Sequence, residues 1–393
     1  MAEPETRYSL YGYPASFYLV VAANLLFFTS FQWTFVTLPG YIQEIGGDAA
    51  QIGLAFGLST LSAIAVRPLI APMIDRWGRK GALGVGAVLF AIEPILYTLT
   101  TSVWPFLAVR LIRGVSMATF TTAYTALIAD LAPEGRRGEA VGLSGVTNNL
   151  GMLFAPAVGL WVQVRWGYNV HFLASAAIAA GCLALVLLLR ERAGDAPATV
   201  GGAQFWAVAR KRPVWVASWG ITGLGVAYGA VLSFMPPLAG ERALTAAGGY
   251  FTAFAAAMMA AQAAAGWLSD RLGRRAVAIP GLIVSAVAAG GLGLARTDAA
   301  LLAAGAGLGL GWGLVRAGLD TAVMDAVRPQ SRGTALGVLY TCFDAAIGIG
   351  SFGLGLVAQA QSYAAAFYVA ALWAVVALIG YATLGRHRGS QPG

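Results

Sequence analysis

Apolar residues in this chain come in long runs separated by short polar or basic stretches. Cut at glycines, prolines and charge clusters, the runs number twelve: 16–42, 49–73, 81–100, 103–131, 139–163, 169–189, 213–239, 247–269, 276–295, 299–326, 333–358 and 363–385. A helix of about 20 apolar residues crosses the hydrocarbon core of a bilayer. Each run therefore predicts one transmembrane helix, and several are long enough to tilt or to project beyond the hydrocarbon. The first run is too long for the core of a signal peptide and has no clean cleavage pattern, so it is expected to be retained as a helix. One extended polar interval, 190–212, divides six runs from six. It predicts a linker between an N-terminal bundle, 1–189, and a C-terminal bundle, 213–393, with Gln204 to Ala209 as a short interfacial helix inside it.

Composition agrees with the pattern: 58% of the 393 residues are hydrophobic and 11% charged, which excludes an ordinary soluble protein. The net charge of +8 raises the question of nucleic acid, and its distribution answers it. Of 25 Lys and Arg, 18 fall in loops and tails on one side, three on the other (Arg165, Arg242, Arg296) and four within helices. That asymmetry is the positive-inside pattern, which puts both termini in the cytoplasm and makes the charge a topology signal, not a nucleic-acid footprint. Cys182 and Cys342 lie inside apolar runs and read as small buried residues. His171 falls near an outside loop and His387 in the tail; there is no HExxH or Cys/His metal spacing and no GxxxxGK[ST] phosphate loop. The sequence thus predicts no enzyme chemistry, no cofactor and no metal, and energy drawn from a gradient.

A short charged string occurs twice, 195 residues apart: Asp75-Arg76-Trp77-Gly78-Arg79-Lys80 and Asp270-Arg271-Leu272-Gly273-Arg274-Arg275. The same offset carries Asp130 onto Asp325, Arg137 onto Arg332, Gly138 onto Gly333 and Gly142 onto Gly337, as a duplicated half would. Each string sits between two predicted helices as a tight loop. It resembles the signature loop of the major facilitator superfamily, GxLaDRxGRR. The copy from Gly266 to Arg275 matches throughout; the first has Ala71 for the glycine, with Pro72 after it. The resemblance implies an all-α membrane protein with twelve transmembrane helices in two pseudo-symmetric six-helix bundles, working as a monomeric secondary transporter by alternating access. It also implies a gating role for Asp75, Arg76, Gly78, Arg79, Asp270, Arg271, Gly273 and Arg274, whose carboxylate and guanidinium groups can pair and part at the cytoplasmic face. Topology anchoring is the plainer use of the same basic residues.

Ionisable residues inside the bilayer are costly unless paired or wetted, so they mark candidate chemistry. Arg110 and Arg113 lie in the fourth run, in a segment similar to the family's RxxQG motif, which is linked there to proton transfer; Arg113 stands where glutamine is usual. Arg316 and Asp320 in the tenth run are spaced i, i+4 and can pair on one face. Asp344, mid-way along the eleventh run, has no basic neighbour in sequence and is suited to bind and release a proton near neutral pH. Glu93, followed by Pro94, suits snorkelling or helix capping as well as proton work, and Arg67, followed by Pro68, reads as reaching the headgroups; both stay outside the core set. Gly151 to Gly159 in the fifth run resembles the gxxxGPxxG string of the superfamily's exporters, with Ala155 at one glycine. Gly305, Gly309 and Gly313 share nearly one face of the tenth run, a spacing for close packing. Polar and aromatic residues expected at a substrate cavity are Gln32, Asn148 and Asn149, with Phe31, Trp33, Phe120, Tyr124, Trp219, Tyr340 and Phe343. Trp215 belongs either with them or with the interfacial belt.

Together these point to a secondary transporter that exchanges protons for a small amphipathic organic compound such as a drug or metabolite, embedded among membrane lipids of a bacterial inner membrane. The alternatives are proton-coupled uptake of a small, anionic nutrient or metal complex, which three intramembrane arginines favour, and a lipid transporter on the same scaffold. A non-transporting receptor has no need for buried ionisable groups.

Overall fold

The computed structural model describes residues 12–133, 136–189, 202–328 and 331–385. Within the helices, the side chains of Asp75, Asn148 and Asn149 lie outside the described set, as do residues 190–201 of the linker. All elements among the described residues are helical: α1 (Ala15–Phe35), α2 (Leu38–Glu44), α3 (Ala49–Leu99), α4 (Val103–Leu131), α5 (Arg137–Leu188), α6 (Gly202–Ala209), α7 (Arg212–Glu241), α8 (Ala247–Leu272), α9 (Arg274–Leu294), α10 (Asp298–Asp325), α11 (Arg332–Ala360) and α12 (Tyr363–Leu384). This is an all-α integral membrane protein.

The twelve predicted runs map onto ten long elements, because α3 and α5 each hold two spans. The chain leaves helical geometry inside them at Gly78 (φ 72°) and Gly167 (φ 81°). Gly273 (φ 91°) separates α8 from α9 in the same way, at the repeat position of Gly78. The expected tight loops are thus reduced to one residue each, since a left-handed glycine turns the backbone without a steric penalty. At Gly167 the chain folds back on itself: His171 meets the backbone carbonyl of Gly159 at 2.9 Å.

The first run departs from expectation. It is two helices, α1 and α2, interrupted at Val36 and Thr37. Pro39 has no N–H to offer the carbonyl of Phe35, four residues earlier, so the helical ladder is broken there. The expected interfacial helix in the linker is α6, which begins two residues earlier than predicted, at Gly202.

The chain forms two compact units, Met1–Gly47 with Leu58–Thr199, and Asp48–Gly57 with Val200–Gly393. In the first, α1 packs along α5. Asn24 donates to Thr147 (2.9 Å), the Ser30 and Ser175 hydroxyls meet at 2.8 Å, and Gly151 and Gly159 of the exporter-like string bring the α5 backbone against α1 at Phe28, Thr29 and Trp33. Phe27 stacks on both Phe90 (4.1 Å) and Phe120 (3.9 Å), joining α1, α3 and α4.

In the second unit α10 packs against both α8 and α9. Gly305, Gly309 and Gly313 face the α8 backbone at Tyr250, Phe254 and Met258, while Gly307 and Gly311 face α9 at Ala288 and Ser285. Glycine at every second position therefore serves two neighbours, one for each face. The first turns of α3 belong to this unit: the Ala49 N–H donates to Gln359 (3.1 Å), and Gly53 lies against the α11 backbone at Ser351 and Gly355.

A Cβ at Gly167 or Gly273 would meet no atom within 4 Å, so alanine there strains only the backbone. Each substitution is expected to cost about 1–3 kcal/mol. Alanine at Gly309, where a Cβ would overlap the Phe254 carbonyl, is expected to cost more. Thermal unfolding of the purified protein in detergent checks the order.

Candidate functional site

The signature loops carry one ion pair in both copies. Arg79 pairs with Asp130 at the end of α4, and Arg274 with Asp325 at the end of α10 (Nε to Oδ2 3.0 Å). These are repeat mates, and each ties the start of one helix to the end of another within its own unit. Arg274 also pairs with Asp270 and donates to the Ser269 hydroxyl (3.0 Å). Arg271 covers the Trp267 ring at 4.1 Å, whereas Arg76 is exposed.

Deeper in the first unit, Arg110 and Arg113 are buried and share a partner that the sequence reading left aside. The Glu93 side chain is 0% exposed. Its Oε1 accepts from the Tyr97 hydroxyl and from Arg110 Nη1 (3.5 Å), and its Oε2 accepts from Arg113 Nη1 (3.1 Å). Glu93 is therefore neither a snorkelling nor a capping residue: two guanidinium groups neutralise it inside the bundle. Arg110 Nη1 also reaches the Tyr97 hydroxyl (3.1 Å). Arg113 extends to α1, donating from Nη2 to the Phe31 carbonyl (3.1 Å) and the Thr34 hydroxyl (3.2 Å), with its guanidinium 4.5 Å above the Phe31 ring.

The second unit holds a separate cluster. Arg316 Nη2 pairs with Asp320 Oδ2 at 3.3 Å, as the i, i+4 spacing predicts. The Tyr340 hydroxyl donates to the same Asp320 oxygen (3.1 Å), and the Arg316 guanidinium lies 4.2 Å above the Tyr340 ring. Asp344 lies one turn beyond Tyr340 on α11. Asp320 Oδ1 is buried and meets no donor among the described residues. One turn before Arg316, Trp312 contacts Tyr228, Phe254 and Phe343, rings from three other helices, at centroid distances of 4.5, 5.7 and 5.1 Å.

The remaining candidates fall elsewhere. Phe120 and Tyr124 are packed in the apolar core of the first unit, and Trp33 lies against His171 with its indole N–H on the His171 carbonyl (3.2 Å). Gln32 is buried in α1. Trp219 packs on Trp373 and Gly380 of α12, away from the Arg316 cluster, and Trp215 is partly exposed near the start of α7. His171, expected near a loop, is buried with its ring nitrogens on the Thr37 hydroxyl (2.8 Å) and the Gly159 carbonyl.

Sequence reasoning missed Glu93, Tyr97, Trp312, Tyr228 and Phe254. For Glu93 a signal existed. It lies six residues before the end of α3, and Arg110 seven after the start of α4, so the two sit at nearly equal depth on consecutive spans. For the rings there was none, because their meeting depends on how α7, α8, α10 and α11 pack.

The profile of the Major Facilitator Superfamily matches residues 20–250 and 242–392, and the chain belongs to that family. The family and the structural neighbours are transporters, not enzymes. The quinolone resistance protein NorA of Staphylococcus aureus is 24% identical over 152 residues, 38% of this chain and 39% of NorA. An MFS-type transporter of Methanocaldococcus jannaschii is 27% identical over 132 residues, 34% of each chain. The chain thus spans under two fifths of the length of these curated relatives. Among solved structures, the nucleoside transporter NupG superposes with a TM-score of 0.76 at 14% identity, covering 95% of this chain and 100% of NupG. A bacterial homologue of the human lysosomal transporter Spinster, inward-facing, gives 0.79 at 17% identity, covering 94% and 96%. At such identities the likeness is one of fold.

The two kinds of ion pair differ in their surroundings. Arg113 and Glu93 are 2% and 0% exposed, whereas Arg274 and Asp325 are 29% and 55% exposed. Arg113→Ala is expected to cost roughly 3 kcal/mol of stability, because it leaves a buried carboxylate short of a partner. Arg274→Ala is expected to cost under about 1 kcal/mol, as solvent screens the pair. Thermal unfolding in detergent distinguishes the two.

Proposed function

We propose that the protein is a proton-coupled exporter of small amphipathic organic compounds, drug or metabolite in type, in a bacterial cytoplasmic membrane with both termini inside. The observation that carries this reading is the imbalance in the second unit. Asp320 pairs with the guanidinium of Arg316 and accepts from Tyr340, a second carboxyl group, Asp344, follows Tyr340 by one turn of α11, and one buried Asp320 oxygen meets no donor among the described residues. Such a set has room for a proton, or for a cationic or hydrogen-bonding ligand in its place. Protonation of Asp344 would leave Arg316 wholly to Asp320; loss of that proton would divide Arg316 between the two. The rings of Trp312, Tyr228, Phe254 and Phe343 beside the cluster supply an aromatic wall for an amphipathic body. The partial likeness to NorA, whose name records quinolone resistance, supports export, as does the close packing of the Gly151 to Gly159 string.

In this reading the six-helix halves, 1–189 and 213–393, joined by the linker 190–212, are the bodies that tilt in alternation. The signature pairs Arg79–Asp130 and Arg274–Asp325 brace each half at its loop end. The bias between states then comes from making and breaking contacts of Asp75, Arg76, Asp270 and Arg271. A second reading, uptake of a small anion, has its own support: in the first unit two guanidinium groups face one carboxyl group, an excess of positive charge.

Everted membrane vesicles discriminate between the two. With an imposed acid interior, the exporter accumulates a lipophilic organic compound such as ethidium in the lumen and loses it when a protonophore collapses the gradient. An importer coupled by symport drives its anion out of the same acid lumen. Asp344→Asn is expected to abolish gradient-driven accumulation while sparing ligand binding. Accumulation retained with unchanged pH dependence removes Asp344 from the mechanism.

A further inference from the structure

The Glu93 network ends at the place where α1 stops. A cation is favoured beside the last turn of a helix by the helix dipole. Arg113 is that cation, with Nη2 on the Phe31 carbonyl and the Thr34 hydroxyl. Its other terminal nitrogen, Nη1, is on Glu93. A guanidinium is a planar, rigid fork, so fixing one tine fixes the direction of the other. Arg110, 1% exposed, is held by the same carboxyl group.

We infer that Glu93 is a positioning residue for transport: by holding Arg113 against the last turn of α1, it sets where Phe31 and Gln32 stand. Three features support the assignment. The carboxyl group accepts from three donors on two spans, the Tyr97 hydroxyl in α3 and Arg110 and Arg113 in α4, so it is the hub and not one link among equals. The segment it controls is the junction of two helices: Val36 and Thr37 join α1 to α2, and Pro39 offers no N–H to the Phe35 carbonyl there. Within that junction Thr37 is held by the buried His171, so side chains hold both the end of α1 and the residues that follow it. Glu93 touches none of the residues it positions; it acts through Arg113.

The test uses Glu93→Asp and Glu93→Gln in the full chain, reconstituted in lipid nanodiscs, with two readouts. Amide hydrogen exchange of the segment 30–38 reports the end of α1 directly and needs no substrate. Glu93→Asp keeps the charge but is one methylene too short to serve Arg113, Arg110 and Tyr97 together. It is expected to speed exchange in 30–38 by about ten-fold while 15–29 and the second unit stay at wild-type rates. In proteoliposomes, with ethidium as the probe, the same variant is expected to raise KM about five-fold and to leave kcat within about two-fold. Glu93→Gln, which also loses the charge, is expected to do more of both; if it does not fold, Glu93→Asp decides. Wild-type exchange in 30–38 and wild-type KM in Glu93→Asp would overturn the assignment. Exchange accelerated evenly over the whole unit, with kcat lost and KM unchanged, would overturn it equally, since that is what a merely structural residue produces. If the wild type moves no ethidium, the export reading suffers and the exchange measurement alone judges Glu93.

Discussion

A charge enclosed in a membrane bundle has no water to turn to, so its counter-charge must come from the protein. That constraint explains the interior of both units. In the first, Arg110 and Arg113 could not sit at bilayer depth without Glu93, and the three together dictate how α3, α4 and the end of α1 meet. In the second, Arg316 is held by Asp320 one turn along α10 and lies over the ring of Tyr340 across on α11. Each cluster costs free energy to bury. Each also gives its unit an arrangement that a proton or a ligand can alter.

The duplication shows which features belong to the scaffold and which to the chemistry. The offset of 195 residues maps Gly78 onto Gly273, Arg79 onto Arg274 and Asp130 onto Asp325, and the left-handed turn and the ion pair recur in both copies. The same offset maps Glu93, Arg110 and Arg113 onto Ala288, Gly305 and Leu308, and it maps Arg316, Asp320 and Asp344 back onto Thr121, Thr125 and Asn149. The interior clusters are thus particular to one half each. They also differ in depth. Arg113 lies about 26 Å along α4 from its signature-end Asp130, and Asp320 only about 8 Å along α10 from Asp325, at 1.5 Å per residue. Loops and close helix contacts have been kept by both halves; the ionisable groups have diverged.

What could be read from the sequence follows from the range of the forces involved. Spans and turns are local: an apolar run of sufficient length is a helix in lipid wherever it lands, and the turns at Gly78 and Gly273 sit inside the repeated string. The Arg316–Asp320 pair was legible for the same reason, since i, i+4 partners need only their own helix. The interruption of α1 was present in Pro39 but hidden inside an unbroken apolar run. Glu93 was legible only by comparing depths on consecutive spans, and its following proline drew attention to capping instead. The Trp312 rings and the burial of His171 depend on which helix faces which, and no spacing in the chain reports that. Phe120, Tyr124 and Trp219 were aromatic in the expected spans, yet packing turned them toward protein.

The account stands on the acidic pair of the second unit trading a proton for an organic substrate. The direct measurement is proton release on binding, by the purified protein in weakly buffered detergent near neutral pH, with whichever compound a toxicity panel shows the protein to expel. Linkage requires that a ligand competing with a bound proton release about one proton for each molecule bound, and that Asp344→Asn bind the compound and release none. Saturable binding by the wild type with no proton released would contradict the account.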